Sequence, residues 1–266
     1  MSARQRLCAV VTNDDGIASE GLRLLARAAL DAGLDVVVAA PHEEASGSGS
    51  AMTATSDGGR VVVERRRLTG LDGTDAYAVQ ALPAFIVFTA VRGAFGARPP
   101  MVLLSGINRG PNTGRAVLHS GTVAAAMTAS LHGVPAAALS LDIRAGSAAE
   151  HWETAAAVAR QVIPAVTGLT PGLVLNVNVP NVPPDQLRGL RRAALAGTGA
   201  VEVGIVAAEQ DHLQITMTEA GERPGSGTDS AALAAGYASL TALRAVCEAP
   251  GEDLSALLDG GLAARG

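Results

Sequence analysis

The chain has 266 residues, a formal net charge of −5 and 48% hydrophobic residues, of which few are aromatic. This length can bury a substantial core, and the acidic balance gives no electrostatic reason to expect nucleic-acid binding. Lysine is absent from the sequence, which excludes a P-loop lysine, a Schiff-base lysine and a Ser-Lys dyad.

The N-terminus and the cysteines indicate the compartment. Residues 1–6 precede only a short apolar run and then acids, which is neither a signal peptide nor a membrane span. Cys8 lies in the first predicted strand and Cys247 lies far away, so we expect two small core hydrophobes and not a disulfide or a metal site. We therefore expect a cytoplasmic protein without membrane association.

The first apolar run, Leu7–Val11, is typical of a buried strand and is followed by Thr12-Asn13-Asp14-Asp15-Gly16. Open α/β sheets bind ligands beyond the carboxyl ends of their strands. Two adjacent carboxylates there make each other's ionisation costly unless a cation neutralises them. The alternative is an Asx-rich turn, because Asn, Asp and Gly all favour turns.

Apolar runs and helical patterns then alternate along the chain. Residues 41–59 and 105–120 are expected to be loops, and long loops inside a compact domain are usually functional. The alternation predicts an α/β fold with a mostly parallel sheet covered by helices on both faces. Strands are predicted at 35–40, 60–64, 77–80, 101–104, 136–141 and 173–179, and helices at 19–32, 85–91, 121–132 and 148–166.

The pattern changes beyond Pro180. Residues 201–207 and 212–218 read as the two strands of a hairpin, 220–230 is glycine-rich, and 237–243 resembles one more strand. The hairpin is either an arm for a partner subunit or an edge hairpin packed on its own domain.

A second polar segment, Ser105 to Gly114, also follows a buried strand, so Asn108 should emerge at the same sheet edge as Asp14 and Asp15. With a hydroxyl from the 41–59 loop, these oxygens suit Mg²⁺ or Mn²⁺ better than Zn²⁺. The sequence contains no His-x-x-x-His or Cys-x-x-Cys spacing that would compete.

A third segment, His119-Ser120-Gly121-Thr122, immediately precedes a helix of small residues. Backbone N–H groups at a helix start can bind an anion without lysine, although Ser120 could equally be a simple N-cap. Together the three segments suggest metal-assisted hydrolysis of a phosphate ester. A dinucleotide site is disfavoured, because the turn after the first strand carries two acids in place of glycines.

These motifs occur in series in one known family. The segments concerned are Asn13–Gly16, Ser46-Gly47, Ser105–Asn108, Gly110–Asn112, Ser120–Ala126, Asn176–Pro180, Gly227–Asp229 and Gly236-Tyr237. In these segments the sequence resembles the SurE survival-protein family of 5′/3′-nucleotidases, and the resemblance covers almost the whole chain.

The resemblance implies a fold and an assembly. It implies a single domain over 1–266 with a Rossmann-like core over about 1–180 and a hairpin extension over about 181–245. We assign a C-terminal helix to 246–266. It also implies a homodimer or homotetramer whose interface includes the extension.

The resemblance further implies one divalent metal ion per subunit, Mg²⁺ or Mn²⁺, and hydrolysis of nucleoside 5′-monophosphates, with 3′-monophosphates as further substrates. Asp14 and Asp15 would be catalytic. The implied metal ligands are Asp14, Asp15, Ser46 and Asn108, and the implied phosphate-binding residues are Asn13, Asn112, Ser120, Gly121 and Thr122.

Two departures from the family pattern leave alternatives open. The segment Ala81–Phe85 replaces a Gly-Thr-Pro-x-Asp-Cys segment near the nucleoside end of the site, and His119 replaces a tyrosine. The first departure allows a phosphatase for a non-nucleotide phosphomonoester, or a metal- or nucleotide-binding protein without useful turnover. His119 could be a general acid, since its ordinary pKa lies near neutrality, or a structural residue beside a helix start.

Overall fold

The computed structural model describes residues 6–96, 98–197, 201–208, 213–219 and 225–248. The helices are α1 (Glu20–Asp31), α2 (Pro83–Ala90), α3 (Gly121–Leu131), α4 (Trp152–Val166) and α5 (Asp229–Ala234). The strands are β1 (Cys8–Thr12), β2 (Asp35–Pro41), β3 (Ser56–Asp57), β4 (Arg60–Val61), β5 (Val63–Arg66), β6 (Asp75–Val79), β7 (Val102–Arg109), β8 (Ala136–Asp142), β9 (Leu173–Pro180), β10 (Leu190–Arg192), β11 (Val201–Ala208), β12 (Leu213–Glu219) and β13 (Ala238–Arg244). Short 3₁₀ helices occupy Gly114–His119 and Pro184–Gln186.

Nine strands form the main sheet in the order β10-β13-β9-β8-β7-β1-β2-β6-β5. The six strands from β9 to β6 are parallel, while β5 and β13 run antiparallel to their neighbours β6 and β9. The α/β prediction of a mostly parallel sheet is therefore confirmed. The sheet takes strands from both sides of residue 180, because β10 and β13 belong to it.

Helices cover both faces of this sheet, as predicted. One apolar cluster joins Leu25 of α1 and Ile163 of α4 to one face, and a second joins Ile86 of α2 and Val123 of α3 to the other. Alternate residues of β1 belong to different clusters: Ala9 and Val11 belong to the first, and Val10 belongs to the second. Strands that are buried on both faces need continuous apolar runs, and such runs explain why the central strands could be predicted from the sequence.

Several predicted boundaries were wrong. Residues 105–109 are the second half of β7 and not loop, and α4 begins at Trp152 and not at residue 148. The predicted strand at 60–64 is divided between β4 and β5, and the predicted loop at 41–59 contains β3. Helix α5 and strand β10 were not predicted; both are short, so their patterns are weak.

The C-terminal predictions have mixed outcomes. The hairpin is confirmed, since β11 pairs antiparallel with β12, and the strand at 237–243 is observed as β13. Residues 246–248 are not helical, and 249–266, the rest of the predicted C-terminal helix, lie outside the described residues.

The cysteine prediction is half right. Both thiols are free; Cys8 is buried as expected, whereas Cys247 is exposed and is no core residue. Burial raises the pKa of the Cys8 thiol. Within the described ranges, none of the helices has the length and apolarity needed to cross a membrane.

Candidate active site

The candidate site lies where the order of the sheet reverses. From β1 the chain moves to one side, to β2 and β6, and then returns past β1 to begin β7, β8 and β9 on the other side. The carboxyl ends of β1 and β7 therefore flank a crevice, the usual ligand position in open α/β sheets. Asp14 and Asp15 follow β1, and Asn108 lies at the end of β7.

Asp14 is buried, and both of its carboxylate oxygens accept hydrogen bonds. Only 4% of the residue is exposed, and the backbone N–H of Thr122 donates to its Oδ2 at 3.1 Å while the Thr122 hydroxyl donates to its Oδ1. Burial raises the pKa of Asp14, because this desolvation outweighs the hydrogen bonds that favour the ionised form. A carboxylate in such a place is stabilised by a cation.

Asp15 is less buried and spans the crevice. Its Oδ2 accepts from the backbone N–H of Arg109 at 3.1 Å, which ties the end of β1 to the end of β7. Burial, followed by the negative charge of Asp14 and a smaller effect of Glu44, raises the pKa of Asp15 to about 6. The two neighbouring acids thus repel each other, as the sequence indicated.

The loop after β2 closes one side of the crevice. The backbone N–H of Ala45 donates to the Asp14 carbonyl oxygen at 2.7 Å, which brings this loop against the two acids. Ser46 is exposed, and its hydroxyl donates to Glu44 Oε1 at 2.7 Å. The structure therefore places Ser46 beside the site with its hydroxyl engaged, and its role as a ligand stays a prediction.

Asn108 reaches the crevice through an irregularity in β7. The register between β7 and β8 shifts between Ser105 and Asn108, and such bulges often redirect a side chain beside an active site. Gly106 permits it, because it has φ +123° and a Cβ there would lie 2.2 Å from the Leu139 carbonyl oxygen. The Asn108 side-chain amide donates to the Gly110 carbonyl at 2.8 Å, so its Oδ1 is the atom available to a metal ion.

The start of α3 faces Asp14, and its donors are already engaged. The Ser120 hydroxyl accepts from the backbone N–H of Val123 at 3.1 Å, so Ser120 is an N-cap. Both donors of Thr122 point to Asp14, and a hydrogen bond from the Gly121 N–H offsets part of the increase in the pKa of Asp14 that burial causes. A phosphate role for these residues stays a prediction. To bind a phosphate, their donors would have to give up the hydrogen bonds that they make within the protein.

The two asparagines predicted to face the phosphate are also engaged. The Asn13 amide nitrogen donates to the Gly16 carbonyl at 3.1 Å and to the Ser19 hydroxyl at 2.6 Å, which fixes the turn into α1. The Asn112 amide nitrogen donates to Ser140 Oγ at 2.8 Å. Their phosphate roles likewise stay predictions.

A buried carboxylate that was not predicted holds the loop before α3. Asp229 is fully buried; its Oδ2 accepts from the Gly114 N–H at 2.8 Å, and its Oδ1 accepts from the N–H groups of Ala196 and Ser230, each at 2.9 Å. The signal for Asp229 in the sequence was the Gly227-Thr228-Asp229 motif, which does not say what the carboxylate contacts.

The donor set fits a hard divalent cation. In the described part of the chain, no three His, Cys, Asp or Glu side chains come together as a metal site. The crevice instead offers two carboxylates with raised pKa values and neutral oxygens from Asn108 and the serine loop. A donor set made only of oxygen is typical of sites for hard divalent cations, whereas zinc sites usually include nitrogen or sulfur ligands.

Comparison with known proteins agrees with this geometry. The profile of the family described as Survival protein SurE matches residues 9–201. The chain belongs to the SurE family. Within the SurE family, it is 36% identical over 240 residues to the 5′-nucleotidase SurE of Aeromonas hydrophila, covering 88% of this chain and 90% of that one. It is also 36% identical over 242 residues to the 5′/3′-nucleotidase SurE of Shigella dysenteriae, covering 88% and 89%.

A solved SurE structure has the same fold. The crystal structure of the SurE protein from Aquifex aeolicus superposes with a TM-score of 0.79 at 28% identity, covering 96% of this chain and 100% of that one. The family resemblance seen in the sequence and the Rossmann-like α/β fold are therefore both confirmed.

A cavity in this SurE chain is lined in part by Ala45, whose backbone N–H donates to the Asp14 carbonyl oxygen. It has a volume of about 390 Å³ and lies between the loop after β2 and the residues that join β6 to α2. Glu43 and Glu44 line one wall, and Gln80, Ala81 and Leu82 line another. Two residues of the segment Ala81–Phe85 thus form part of the wall of this cavity.

Proposed function

We propose that this protein hydrolyses nucleoside 5′-monophosphates, and 3′-monophosphates as further substrates, to nucleosides and phosphate with the help of one divalent metal ion. Family membership supports the reaction class, because the Aeromonas hydrophila and Shigella dysenteriae relatives bear the names 5′-nucleotidase and 5′/3′-nucleotidase. The single observation that carries the proposal is the pair of adjacent carboxylates, Asp14 and Asp15, each fixed by hydrogen bonds at the sheet crevice.

Asp14, Asp15, Asn108 and Ser46 would hold the metal ion, which we take to be Mg²⁺ or Mn²⁺. When bound, the metal polarises the phosphoryl group and lowers the pKa of a coordinated water. Thr122 keeps Asp14 in one orientation through its two hydrogen bonds, and the Arg109 N–H does the same for Asp15. These fixed acids would place substrate and water without reorganisation during the reaction.

The 390 Å³ cavity would take the nucleoside. Its size lies in the range typical of small-molecule sites, and Glu44 connects it to the acids, since this residue lines the cavity and also raises the pKa of Asp15. Because Ala81 and Leu82 form part of its wall, the preference for base and sugar should differ from that of relatives with the usual segment.

The deciding experiment is phosphate release from a panel of nucleoside monophosphates with Mn²⁺ or Mg²⁺, and then with EDTA. We expect release that EDTA abolishes, and a loss of at least about 100-fold in Asp14→Asn and Asp15→Asn, as expected when a charged transition-state contact is removed. If phosphate is released only from phosphomonoesters that lack a nucleoside, the protein is a phosphatase for non-nucleotide substrates. Metal-dependent binding without release from any ester would indicate a binding protein.

We also propose a homodimer or homotetramer, located in the cytoplasm, in which the β11–β12 hairpin reaches another subunit. Support comes from the pairing of β11 with β12 alone, as a two-stranded sheet separate from the main one, since isolated hairpins need a partner surface for stability. Exchange of an arm between identical subunits gives a closed dimer at low cost. An active monomer in light scattering at micromolar concentration would contradict this assembly.

A further inference from the structure

The three serines of the loop after β2 differ in their surroundings. Ser46 and Ser50 are exposed, and the Ser46 hydroxyl donates to Glu44. The hydroxyl oxygen of Ser48, in contrast, is shielded from solvent and has no hydrogen-bond partner among the described residues. A buried hydroxyl without a hydrogen-bond partner destabilises the folded state and calls for an explanation.

The position of the Ser48 hydroxyl links it to the acids and to α3. A Cβ on Gly121 would lie 2.8 Å from Ser48 Oγ and 2.7 Å from Asp14 Oδ2, so both oxygens face the first residue of α3. The loop is held there by backbone packing, since a Cβ on Gly49 would lie 3.4 Å from the Leu118 carbonyl oxygen. The Ser48 hydroxyl therefore lies beside the first residue of α3, which Asp14 Oδ2 also approaches.

The proposed function places a phosphate at the start of α3, and a phosphate bound there needs hydrogen-bond donors. The donors of Thr122 are engaged with Asp14, the N–H of Val123 is engaged with the Ser120 cap, and the amide nitrogen of Asn13 is engaged in its own turn. The sequence has no lysine to compensate the charge of a phosphate. Unlike the donors of these three residues, the Ser48 hydroxyl can turn to a ligand without breaking a hydrogen bond to any described residue.

We propose that Ser48 binds the phosphate group of the substrate, by donating a hydrogen bond from its hydroxyl to a phosphoryl oxygen. This inference rests on the proposed function. It separates the roles of the two neighbouring serines, with Ser46 on the metal side of the site and Ser48 on the phosphate side. It also gives a reason for glycine at position 121, because any side chain there would displace the Ser48 hydroxyl.

The test compares Ser48→Ala with Ser50→Ala, a matched change at an exposed serine of the same loop. Two affinities are measured by calorimetry, that for Mn²⁺ alone and that for inorganic phosphate in the presence of saturating Mn²⁺. Ser48→Ala should weaken phosphate binding by about 10-fold or more, the loss expected for a hydrogen bond to a charged group. It should leave Mn²⁺ affinity within about twofold, a free-energy change well below that of a lost hydrogen bond. Ser50→Ala should change neither.

Folding is controlled by the melting temperature of the metal-free protein. Because Ser48→Ala removes an unsatisfied hydroxyl, this temperature should be unchanged or higher. Unchanged phosphate affinity in Ser48→Ala overturns the inference, as does a loss of Mn²⁺ affinity, which would make Ser48 a metal ligand. Phosphate binding that depends on Ser48 in a protein that releases no phosphate from any ester would support the inference while refuting the proposed hydrolysis.

Discussion

Asp15→Asn should stabilise the metal-free protein at neutral pH. Burial and the charge of Asp14 raise the pKa of Asp15 from 3.8 to about 6. A carboxyl with a raised pKa binds its proton more tightly in the folded state than in the unfolded state, so folding stability falls as the pH rises through this interval. Below pH 3.8 both states are protonated and the effect is absent; above about pH 6 it is complete.

The magnitude follows from the two pKa values. One pKa unit corresponds to about 1.4 kcal/mol, so the difference is worth up to about 3 kcal/mol, reduced by solvent because Asp15 is only partly buried. Asparagine removes this cost. For a chain of this size each kcal/mol raises the melting temperature by about 2–4 °C.

The assay is thermal unfolding in EDTA at several pH values that extend from below 3.8 to above 6, the unfolded-state and folded-state pKa values of Asp15. Asp15→Asn should equal wild type near the acid end and exceed it at the neutral end, while Asp185→Asn, an exposed control, should follow wild type throughout. Mn²⁺ should stabilise wild type and should have little effect on Asp15→Asn. If Asp15→Asn is less stable than wild type at neutral pH without metal, the repulsion argument is wrong.

Three further outcomes are expected. Gly121→Ala should lower activity by at least about 10-fold through its clash with the Asp14 and Ser48 oxygens, whereas Gly168→Ala, where a Cβ has room, should be nearly neutral in a phosphate-release assay. Asp229→Asn should lower the free energy of unfolding by about 1–3 kcal/mol, because at least one buried N–H loses its acceptor; equal denaturation midpoints would contradict this. His119→Phe should leave the pH–rate profile unchanged, because the side chain is exposed. If the variant loses the decrease in rate on one side of the profile, His119 is the general acid.

The sequence identified the strands that carry the acids because those strands are buried on both faces. Continuous apolar runs mark β1, β2, β8 and β9, and the polar residues that follow β1 could only lie at the sheet edge. The second half of β7 was missed because Ser105, Gly106 and Asn108 read as a loop, although tertiary packing continues the strand through an irregularity.

The candidate site was predictable in outline and not in its hydrogen bonds. Sequence spacing brought Asp14, Asp15 and Asn108 to one edge, where the structure has them. It could not show that Thr122 binds Asp14, or which serine of the loop is shielded. Those contacts depend on how α3 and the loop after β2 pack together, which local pattern does not encode.

The contacts of Asp229 have a consequence for how the protein matures during synthesis. The loop that leads to α3 is fastened at Gly114 by a carboxylate 115 positions further along the chain. A ribosome-bound chain that has emerged only as far as β9 already contains Asp14 and Asp15, but the loop lacks its hydrogen bond to Asp229. Complete assembly of the site thus requires the C-terminal part of the chain. A fragment that ends after β9 would contain both acids but not the carboxylate that holds the neighbouring loop.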